Sequence, residues 1–354
     1  MKKFVVLLFS VLLALALVAC NASQPAAEAP ASQAPASQAP ASEAPVSQAP
    51  AEEPAKEVYT IGVLMKTLAS PYWQNMAAGL EAEVAKMEDV EIEIFGAESE
   101  DDLSGQLSLM ENMINSGKYD ALCVAPITPT NLISGVVMAN QKGLPVVDID
   151  EKFDMAALKE AGGWVVGYAT SDNKAVGRMA AELIAKAFPD GCGVGIIEGI
   201  AGATSGELRR DGCKEALAEM NGFTVLDVQP GDWDRQVALD VATNMINKYG
   251  DQLKAIFTAN DTMAKGALQA MENTGRTDIL LVSTDADKEV QEAIAAGKLV
   301  AVVQNPTGIA VSCVEQAVAA IKSGNAGSLD AVVEDTLIPA KVYTKENISE
   351  LLGS

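Results

Sequence analysis

Polar and aromatic side chains gather where the predicted strands of this 354-residue chain end. They combine large rings with carboxylates, carboxamides and a few cations, and they come from segments far apart along the chain. Because ligands bind outside the carboxyl ends of parallel strands, such side chains can meet in one crevice. The candidates are Lys66, Ser70, Tyr72, Trp73, Asp150, Arg209, Trp233, Asn260, Asp285 and Gln304.

This combination of side chains matches the chemistry of a polyhydroxylated ring. The apolar C–H faces of such a ring pack against aromatic side chains. Its hydroxyl groups donate to carboxylates, accept from Arg and Lys, and do both with carboxamides. Each charge-assisted hydrogen bond contributes about 1.5–3 kcal/mol net, and an unmatched buried group costs a similar amount. A site of this kind would select the stereochemistry of a small sugar.

Each candidate also has a simpler structural explanation. Ser70 followed by Pro71 is typical of a helix N-cap with Pro at the first helical position. Asp150 and Asp285 stand at strand-to-helix turns, where a lone Asp usually caps the helix. Capping does not explain Trp233, which lies between two aspartates in PGDWDRQ. The joint pattern therefore favours a binding site over a set of unrelated caps.

The chain has no histidine, and this excludes many kinds of active site. No Ser-His-Asp triad, Cys-His pair or HExxH zinc site can be built. There is no P-loop, and Gly191-x-Gly193-x-Gly195 precedes a predicted strand, whereas a dinucleotide fingerprint opens a helix. Asp232 and Asp234 form a possible glycosidase pair, but they flank a Trp in a short loop. The sequence predicts a protein that is not an enzyme and has no catalytic residue, metal or cofactor.

The formal net charge of −23 limits the partners of the protein. Nucleic acids and anionic lipid headgroups require clustered Lys and Arg, so the sequence argues against both. The lack of histidine also predicts that ligand affinity stays nearly flat between about pH 5.5 and 8.

Four cysteines follow the N-terminal segment without any CxxC spacing. Cys123 and Cys313 fall in apolar runs and are expected in the core. Trp164, at the start of a predicted strand, is also expected in the core. A disulfide between Cys192 and Cys213 is compatible with an exported protein, and the sequence leaves this pairing open.

Strand-like and helix-like periods alternate from Val58 onward. Many of the strands are continuous apolar runs, as in parallel strands covered on both faces. The strands are predicted at 59–65, 91–95, 119–124, 144–149, 164–168, 193–198, 223–229, 253–259, 279–284 and 299–303. The helices are predicted at 71–88, 102–116, 129–142, 171–188, 204–221, 234–249, 261–274, 287–297 and 306–323. About ten strands are too many for one small sheet, so the pattern predicts an α/β fold of two doubly wound parallel-sheet lobes.

The N-terminal 57 residues form a separate segment. Residues 1–19 have a short positive start and an apolar run too short to span a bilayer, which is typical of an export signal. The following Leu17-Val18-Ala19-Cys20 resembles the lipobox of bacterial lipoproteins, which implies lipidation of Cys20. An ordinary signal peptide is the alternative. Residues 20–57 repeat Ala, Ser, Gln or Glu, and Pro, a composition that predicts a solvated tether.

Nine motifs together resemble the periplasmic-type sugar-binding proteins of the ribose-binding branch. The resemblance covers nearly all of residues 58–324 in collinear order. The motifs are KTLASPYWQNMAAG, VAPITPTNL, LPVVDIDEKFD, IIEGIAGATSGELRRDG, QPGDWDR, ALDVATNMI, FTANDTMAKGAL, STDAD and VVQNPTGIA.

The resemblance implies a ligand and a role for each candidate residue. The ligand would be an allose-like or ribose-like aldose or a related polyol. The aromatic residues implied to sandwich its ring are Tyr72, Trp73 and Trp233. The residues implied to hold its hydroxyl groups are Asp150, Arg209, Asn260, Asp285 and Gln304. Lys66 matches a lysine of similar proteins, and Ser70, which lacks the amide of the usual Asn, completes the ligand-binding set. Two of these depart from the pattern of similar proteins, because Ser70 stands where Asn is usual and Tyr72 replaces Phe.

The resemblance also implies how the two lobes are built and used. Lobe I would contain residues 58–170 and 305–335, and lobe II residues 171–304 and 336–354. They would be joined by a three-segment hinge and close over the sugar. The protein would be an extracytoplasmic monomer, anchored on the outer face of the bacterial cell membrane, that delivers the sugar to an ABC importer permease and its ATPase. The alternative is a sugar sensor that presents its closed form to a membrane receptor.

Overall fold

The computed structural model describes residues 58–352. The predicted signal, Cys20 and the tether lie outside the described residues. The strands are β1 (Tyr59–Thr67), β2 (Val90–Ala97), β3 (Ala121–Val124), β4 (Val146–Ile149), β5 (Gly167–Ser171), β6 (Gly193–Glu198), β7 (Thr224–Pro230), β8 (Leu253–Thr258), β9 (Leu280–Thr284), β10 (Val300–Val303), β11 (Thr336–Ile338) and β12 (Lys341–Tyr343).

Helices follow most of these strands. They are α1 (Pro71–Val84), α2 (Leu103–Ser116), α3 (Ile133–Gln141), α4 (Met155–Glu160), α5 (Asn173–Ala187), α6 (Thr204–Glu219), α7 (Arg235–Tyr249), α8 (Asp261–Thr274), α9 (Lys288–Ala295), α10 (Pro306–Ser323) and α11 (Ser349–Leu352), with a 3₁₀ turn at Gly250–Gln252. Within residues 58–352, no helix has both the length and the apolar character needed to cross a bilayer.

The strands form two sheets with the same internal order. The first sheet runs β11-β5-β4-β3-β1-β2 and the second runs β12-β10-β9-β8-β6-β7. Their pairings are parallel except for that of β12, which runs antiparallel to β10. The prediction of two doubly wound parallel-sheet lobes is confirmed. The first lobe is built on the first sheet and the second lobe on the second sheet.

Helices cover both faces of each sheet because the central strands are apolar on both sides. In β3, Ala121 and Cys123 pack into the cluster under α1 and α10. Leu122 and Val124, on the opposite face, pack into the cluster under α2 and α3. This alternation turns a continuous apolar run into two core layers.

The chain crosses between the lobes at three places. After β5 it enters the second lobe, where α5 packs against α6, and after β10 it returns to the first lobe, where α10 packs against α1. The third crossing lies between β11 and β12. β11 pairs with β5, so residues 336–338 lie in the first sheet, whereas the resemblance implied that they belong to lobe II.

Short elements account for most of the differences from the predicted elements. α4, β11, β12 and α11 were not predicted, because three to six residues are too few to show a periodicity. The strand predicted at 164–168 begins later, at Gly167. Trp164 lies before it, half-buried, and its indole N–H donates to the Ala326 carbonyl at 2.7 Å. The expectation that Trp164 is a core residue is therefore wrong.

The cysteines in the described residues are free thiols. Cys123 and Cys313 are fully buried in the core of the first lobe, as predicted. Cys213 is buried and Cys192 is half-buried, and no disulfide joins them. Burial raises the pKa of the Cys192 thiol to about 11.

Candidate ligand-binding site

All ten candidate residues line one cavity between the two lobes, at the carboxyl ends of the strands. The cavity has an empty volume of about 420 Å³. The structure thus brings together residues from loops that span most of the described chain. Three further residues line the cavity but were not among the candidates, namely Glu100, Ser205 and Asp261.

Tyr72 and Trp73 form the aromatic wall contributed by the first lobe. Helix α1 begins with Pro71 in its first turn, and Ser70 at the N-cap makes no capping hydrogen bond through its side chain. The two rings meet edge to face, with centroids 5.0 Å apart and planes at 89°. Trp73 is buried and its indole N–H donates to Glu100 Oε1 at 3.0 Å. These contacts orient both rings before any ligand is present.

Asp150 and Asp285 occupy equivalent positions in the two lobes. Asp150 directly follows β4 and its N–H donates to Ala169 in β5, while Asp285 directly follows β9 and its N–H donates to Val302 in β10. Neither residue caps a helix. Both have positive φ angles, 63° for Asp150 and 61° for Asp285. Strain of this kind is common at binding sites, where it directs a side chain toward a ligand.

Both carboxyl groups are buried, and burial raises the pKa of each. The Arg209 guanidinium is the largest opposing influence on both. Asp150 Oδ1 also accepts from the Tyr72 hydroxyl at 3.2 Å. Burial and then Asp150 raise the pKa of Tyr72, so its phenol stays protonated and acts as a donor. The added hydroxyl of Tyr72 therefore has a partner in Asp150.

A buried hydrogen-bond network fixes the polar side of the second lobe. Arg209 in α6 donates to Asn173 Oδ1 at 2.8 Å, to the Ala259 carbonyl at 2.8 Å and to Gln304 Oε1 at 2.9 Å. Gln304 Nε2 in turn donates to Asp285 Oδ2 at 2.7 Å. The cation and the carboxylate are linked through one carboxamide, so all three groups have a fixed orientation toward the cavity.

Trp233 contributes an aromatic wall from the second lobe. It has a positive φ of 58° in the loop between β7 and α7. Its ring lies against the backbone of Gly199 and Gly206, and a Cβ at Gly199 would come within 2.0 Å of Trp233 Cζ2. Only glycine leaves room for the ring at this point. The glycine-rich turn after β6 thus positions the indole.

Asn260 and Lys66 complete the candidate set. Asn260 caps α8, where its Oδ1 accepts from the Met263 N–H at 2.8 Å, so its Nδ2 is the group available as a donor. Lys66 is buried and its Nζ lies 3.1 Å from Glu151 Oε2. Burial alone would lower the pKa of Lys66, but the Glu151 carboxylate raises it, and the lysine keeps its charge.

The residues that the sequence analysis missed have ordinary positions in this geometry. Glu100 lies in the loop after β2, and Asp261 directly follows Asn260. Both stand at the carboxyl end of a strand, and that signal was sufficient to find them. Ser205 lies in the first turn of α6, where the sequence offered no reason to separate it from an ordinary helical serine.

Asp261 is a carboxyl group that titrates near neutral pH, in the range where a chain without histidine was expected to have no titrating group. Its Oδ2 accepts from the Asp287 N–H at 2.8 Å. Burial, followed by the nearby Asp285, raises the pKa of Asp261 to about 7. The prediction that ligand affinity stays nearly flat between about pH 5.5 and 8 considered only histidine and did not include this carboxyl group.

We expect the replacement Asp261→Asn to change how stability depends on pH. The unfolded pKa of Asp is about 3.9, so the folded protein binds the proton more tightly than the unfolded chain. Protonated Asp261 therefore contributes at most about 4 kcal/mol to the free energy of unfolding. This contribution is fully present below about pH 3.9 and is lost as the pH rises through about 7. Asn cannot ionise and still accepts from Asp287. Urea unfolding at about pH 5 and 8 should show the variant gaining stability over the parent at the higher pH.

Asp278→Asn is the matched control for this prediction. Arg276 holds the pKa of the exposed Asp278 at about 2, so this carboxylate does not titrate in the same window. Equal differences between Asp261→Asn and the parent at both pH values would contradict the raised pKa of Asp261.

Comparison with known proteins relates this arrangement to a family of binding proteins. The family model described as "Periplasmic binding protein domain" matches residues 61–326. The chain is 42% identical over 286 residues to the D-allose-binding periplasmic protein of Escherichia coli (strain K12). The aligned region covers 80% of this chain and 91% of that relative. It is 34% identical over 248 residues to the ribose import binding protein of Bacillus subtilis (strain 168). That aligned region covers 70% of this chain and 76% of the relative.

Solved structures show the same fold with sugars or polyols bound. A periplasmic solute binding protein of an ABC transporter from Actinobacillus succinogenes 130z, with bound D-allose, has a TM-score of 0.75 and 31% identity, and the match covers 82% of this chain and 99% of that one. A solute binding protein of an ABC transporter from Bacillus halodurans C-125, with bound myo-inositol, has a TM-score of 0.72 and 26% identity. The match covers 85% of this chain and 99% of that one.

Proposed function

The chain belongs to the family of the periplasmic binding protein domain, and from this premise we propose that it captures a monosaccharide and delivers it to an ABC importer. It is a substrate-binding protein and not an enzyme. The ligand class we propose is an aldose resembling allose or ribose, or a related polyol. Binding closes the two lobes over the sugar, and the closed form is what the permease recognises.

The observation that carries this proposal is the meeting of the ten candidate residues around one cavity between the lobes. The rings of Tyr72, Trp73 and Trp233 offer flat surfaces for the C–H faces of a sugar. Asp150 and Asp285 provide acceptors for hydroxyl protons, and the guanidinium and carboxamide groups provide donors. The relatives named for D-allose and for ribose, and the similar structures with D-allose and myo-inositol bound, support the same ligand class.

The buried charges favour a neutral, hydroxyl-rich ligand over a charged one. In the first lobe, Lys66 is already neutralised by Glu151, and in the second lobe Arg209 is linked to Asp285 through Gln304. A ligand carboxylate or phosphate would add an uncompensated charge to a cavity that also contains Asp150 and Glu100. Hydroxyl groups can bond to both the anionic and the cationic side chains without such a cost.

A thermal-shift panel of aldoses and a cyclic polyol tests the proposed ligand. D-Allose, D-ribose, D-glucose, D-galactose and myo-inositol would each be added to the purified protein. A cognate sugar at about a thousandfold over its Kd adds about 4 kcal/mol of stability, which raises Tm on the order of ten degrees. A panel in which no sugar or polyol moves Tm would rule out the proposed ligand class. Unchanged uptake of the cognate sugar in cells that lack the protein would favour a sensor.

We also propose that the protein is a lipoprotein held on the outer face of the membrane. The support is the sequence Leu17-Val18-Ala19-Cys20 after an apolar signal, followed by a tether up to residue 57. Metabolic labelling with a palmitate analogue should mark the intact chain and not the variant Cys20→Ser. Equal labelling of both would exclude Cys20 as the anchor.

A further inference from the structure

A carboxylate of the first lobe is bonded directly to a helix of the second lobe. Glu151, two residues after β4, is completely buried and does not line the ligand cavity. Its Oε1 accepts from the backbone N–H of Thr204 at 2.7 Å. Its Oε2 accepts from the Ser205 hydroxyl at 3.2 Å and from Lys66 Nζ at 3.1 Å.

Helix α6 lacks a side-chain cap of its own. Its N-cap position is occupied by Ala203, which makes no side-chain hydrogen bond. The first N–H groups of a helix have no partner within the helix, and a side-chain oxygen or an anion normally satisfies them. Glu151 supplies this oxygen from the opposite lobe. The helix is therefore capped only while the lobes are in contact.

The same carboxylate determines where Lys66 lies in the cavity. The ammonium group lines the cavity and is buried, so it needs an anion close by. Lys66 and Glu151 both belong to the first lobe and remain together when the lobes separate. On separation, Glu151 exchanges its two bonds from Thr204 and Ser205 for water.

We propose that Glu151 is an interlobe positioning residue that couples the Lys66 contact in the cavity to closure of the lobes. Closure caps α6, completes the hydrogen bonds of Glu151 and holds the ammonium toward the ligand in one step. The coupling to ligand rests on the proposed sugar-binding function, whereas the effect on closure does not. Because a ligand shifts a two-state equilibrium only by its differential affinity, losing this contact weakens sugar binding by making closure less favourable.

The replacement Thr204→Pro tests the contact from the side of the helix. Proline has no N–H and is favoured at the first helical position, which Thr204 occupies. The preceding Ala203 has φ −77° and ψ 111°, which is compatible with a following proline. The variant thus removes the donor to Glu151 and leaves Lys66 and the cavity residues unchanged. Thr204→Ala removes the same side chain but keeps the N–H, and it is the matched control.

The readout is the distance between the lobes in the sugar-free protein. Nitroxide labels at Glu98→Cys and Gln236→Cys, both exposed and in different lobes, would report it by double electron–electron resonance in a Cys192→Ser background. We expect Thr204→Pro and Glu151→Gln to increase the population of the longer distance several-fold. Thr204→Ala should match the parent. The Kd of the sugar found by the panel should rise about tenfold in Thr204→Pro.

A purely structural role would not produce this pattern. It would lower the Tm of the sugar-free protein and leave the distance distribution unchanged. A distribution for Thr204→Pro equal to that of Thr204→Ala would overturn the proposal, whatever the sugar panel shows. A shifted distribution in a protein that binds no sugar would instead support the role in closure and contradict the sugar-binding function.

Discussion

Replacing Arg209 by Met should lower the affinity for the cognate sugar by about 10²- to 10³-fold, equivalent to about 3–4 kcal/mol. The guanidinium is buried and makes three hydrogen bonds, to Asn173, Ala259 and Gln304. A bond that involves a charged group contributes about 1.5–3 kcal/mol, and truncation also leaves buried partners unsatisfied. Met keeps much of the side-chain length, so the loss is chiefly one of charge and donors.

The loss also changes the carboxylates that face the ligand. Arg209 opposes the effect of burial on the pKa values of Asp150 and Asp285. Without it, both pKa values rise further, and a protonated carboxyl is a weaker acceptor for sugar hydroxyl groups. Isothermal titration calorimetry at two pH values would therefore show the defect of Arg209→Met growing as pH falls. In the parent, Arg209 keeps more of the Asp150 and Asp285 carboxyl groups ionised between the same two pH values, so the affinity should change less.

Arg210→Met is the matched control on the same helix. Arg210 forms ion pairs with Glu198 and Asp211 and does not line the cavity. Its loss should leave the sugar affinity within about threefold of the parent, because partly exposed pairs contribute little. Equal affinity losses in the two variants would show that Arg209 has no specific role in binding.

Replacing Trp233 by Ala should weaken sugar binding by about 10- to 100-fold. The change removes an aromatic surface from one wall of the cavity, and water takes the place of the ring against the sugar. The backbone at Trp233 is held at a positive φ by the loop, so the ring is directed before the ligand arrives. The loss should exceed 1 kcal/mol and should appear mainly as faster dissociation, measured by stopped-flow tryptophan fluorescence or by calorimetry.

Two further variants separate stacking from a general loss of stability. Trp164→Ala removes an indole that donates to the Ala326 carbonyl and does not line the cavity, and it should lower Tm without changing Kd. Gly199→Ala keeps the Trp233 indole but forces it away, because the new Cβ would overlap the ring. It should reproduce most of the Trp233→Ala defect. Full affinity in Trp233→Ala would remove this ring from the ligand contacts.

Most of the architecture could be read from local pattern, and so could the side chains at the strand ends, from which the family resemblance selected the candidate residues. Apolar runs of four to nine residues alternate with amphipathic segments, and this alternation predicts parallel sheets covered on both faces. The rule that ligands lie at the carboxyl ends of such strands then identified Asp150 and Asp285, which prove to be equivalent positions in two lobes of the same strand order. The ligand-binding role of these residues stays a prediction.

Elements without their own periodicity could not be found in this way. β11 and β12 have three residues each and exist because β5 and β10 leave edges that can accept a partner. The free thiols of Cys192 and Cys213 likewise depend on where the two side chains lie in the folded second lobe. Sequence spacing predicts neither the pairing of these short edge strands nor the absence of a bond between the two thiols.

By itself, the sequence determined which residue types stand at the ends of the strands and which chemistry they can perform, because strand and helix periods are local properties of the chain. Only the tertiary structure decided which of these groups touch. Glu151 and Thr204 are 53 residues apart, and Arg209 and Gln304 are 95 residues apart. Glu151 and Thr204 meet because the two lobes bring the carboxyl ends of their strands together, whereas Arg209 and Gln304 meet within the second lobe, because α6 and the residue after β10 lie at the same edge of one sheet. Long-range contacts of both kinds have no signature in local composition.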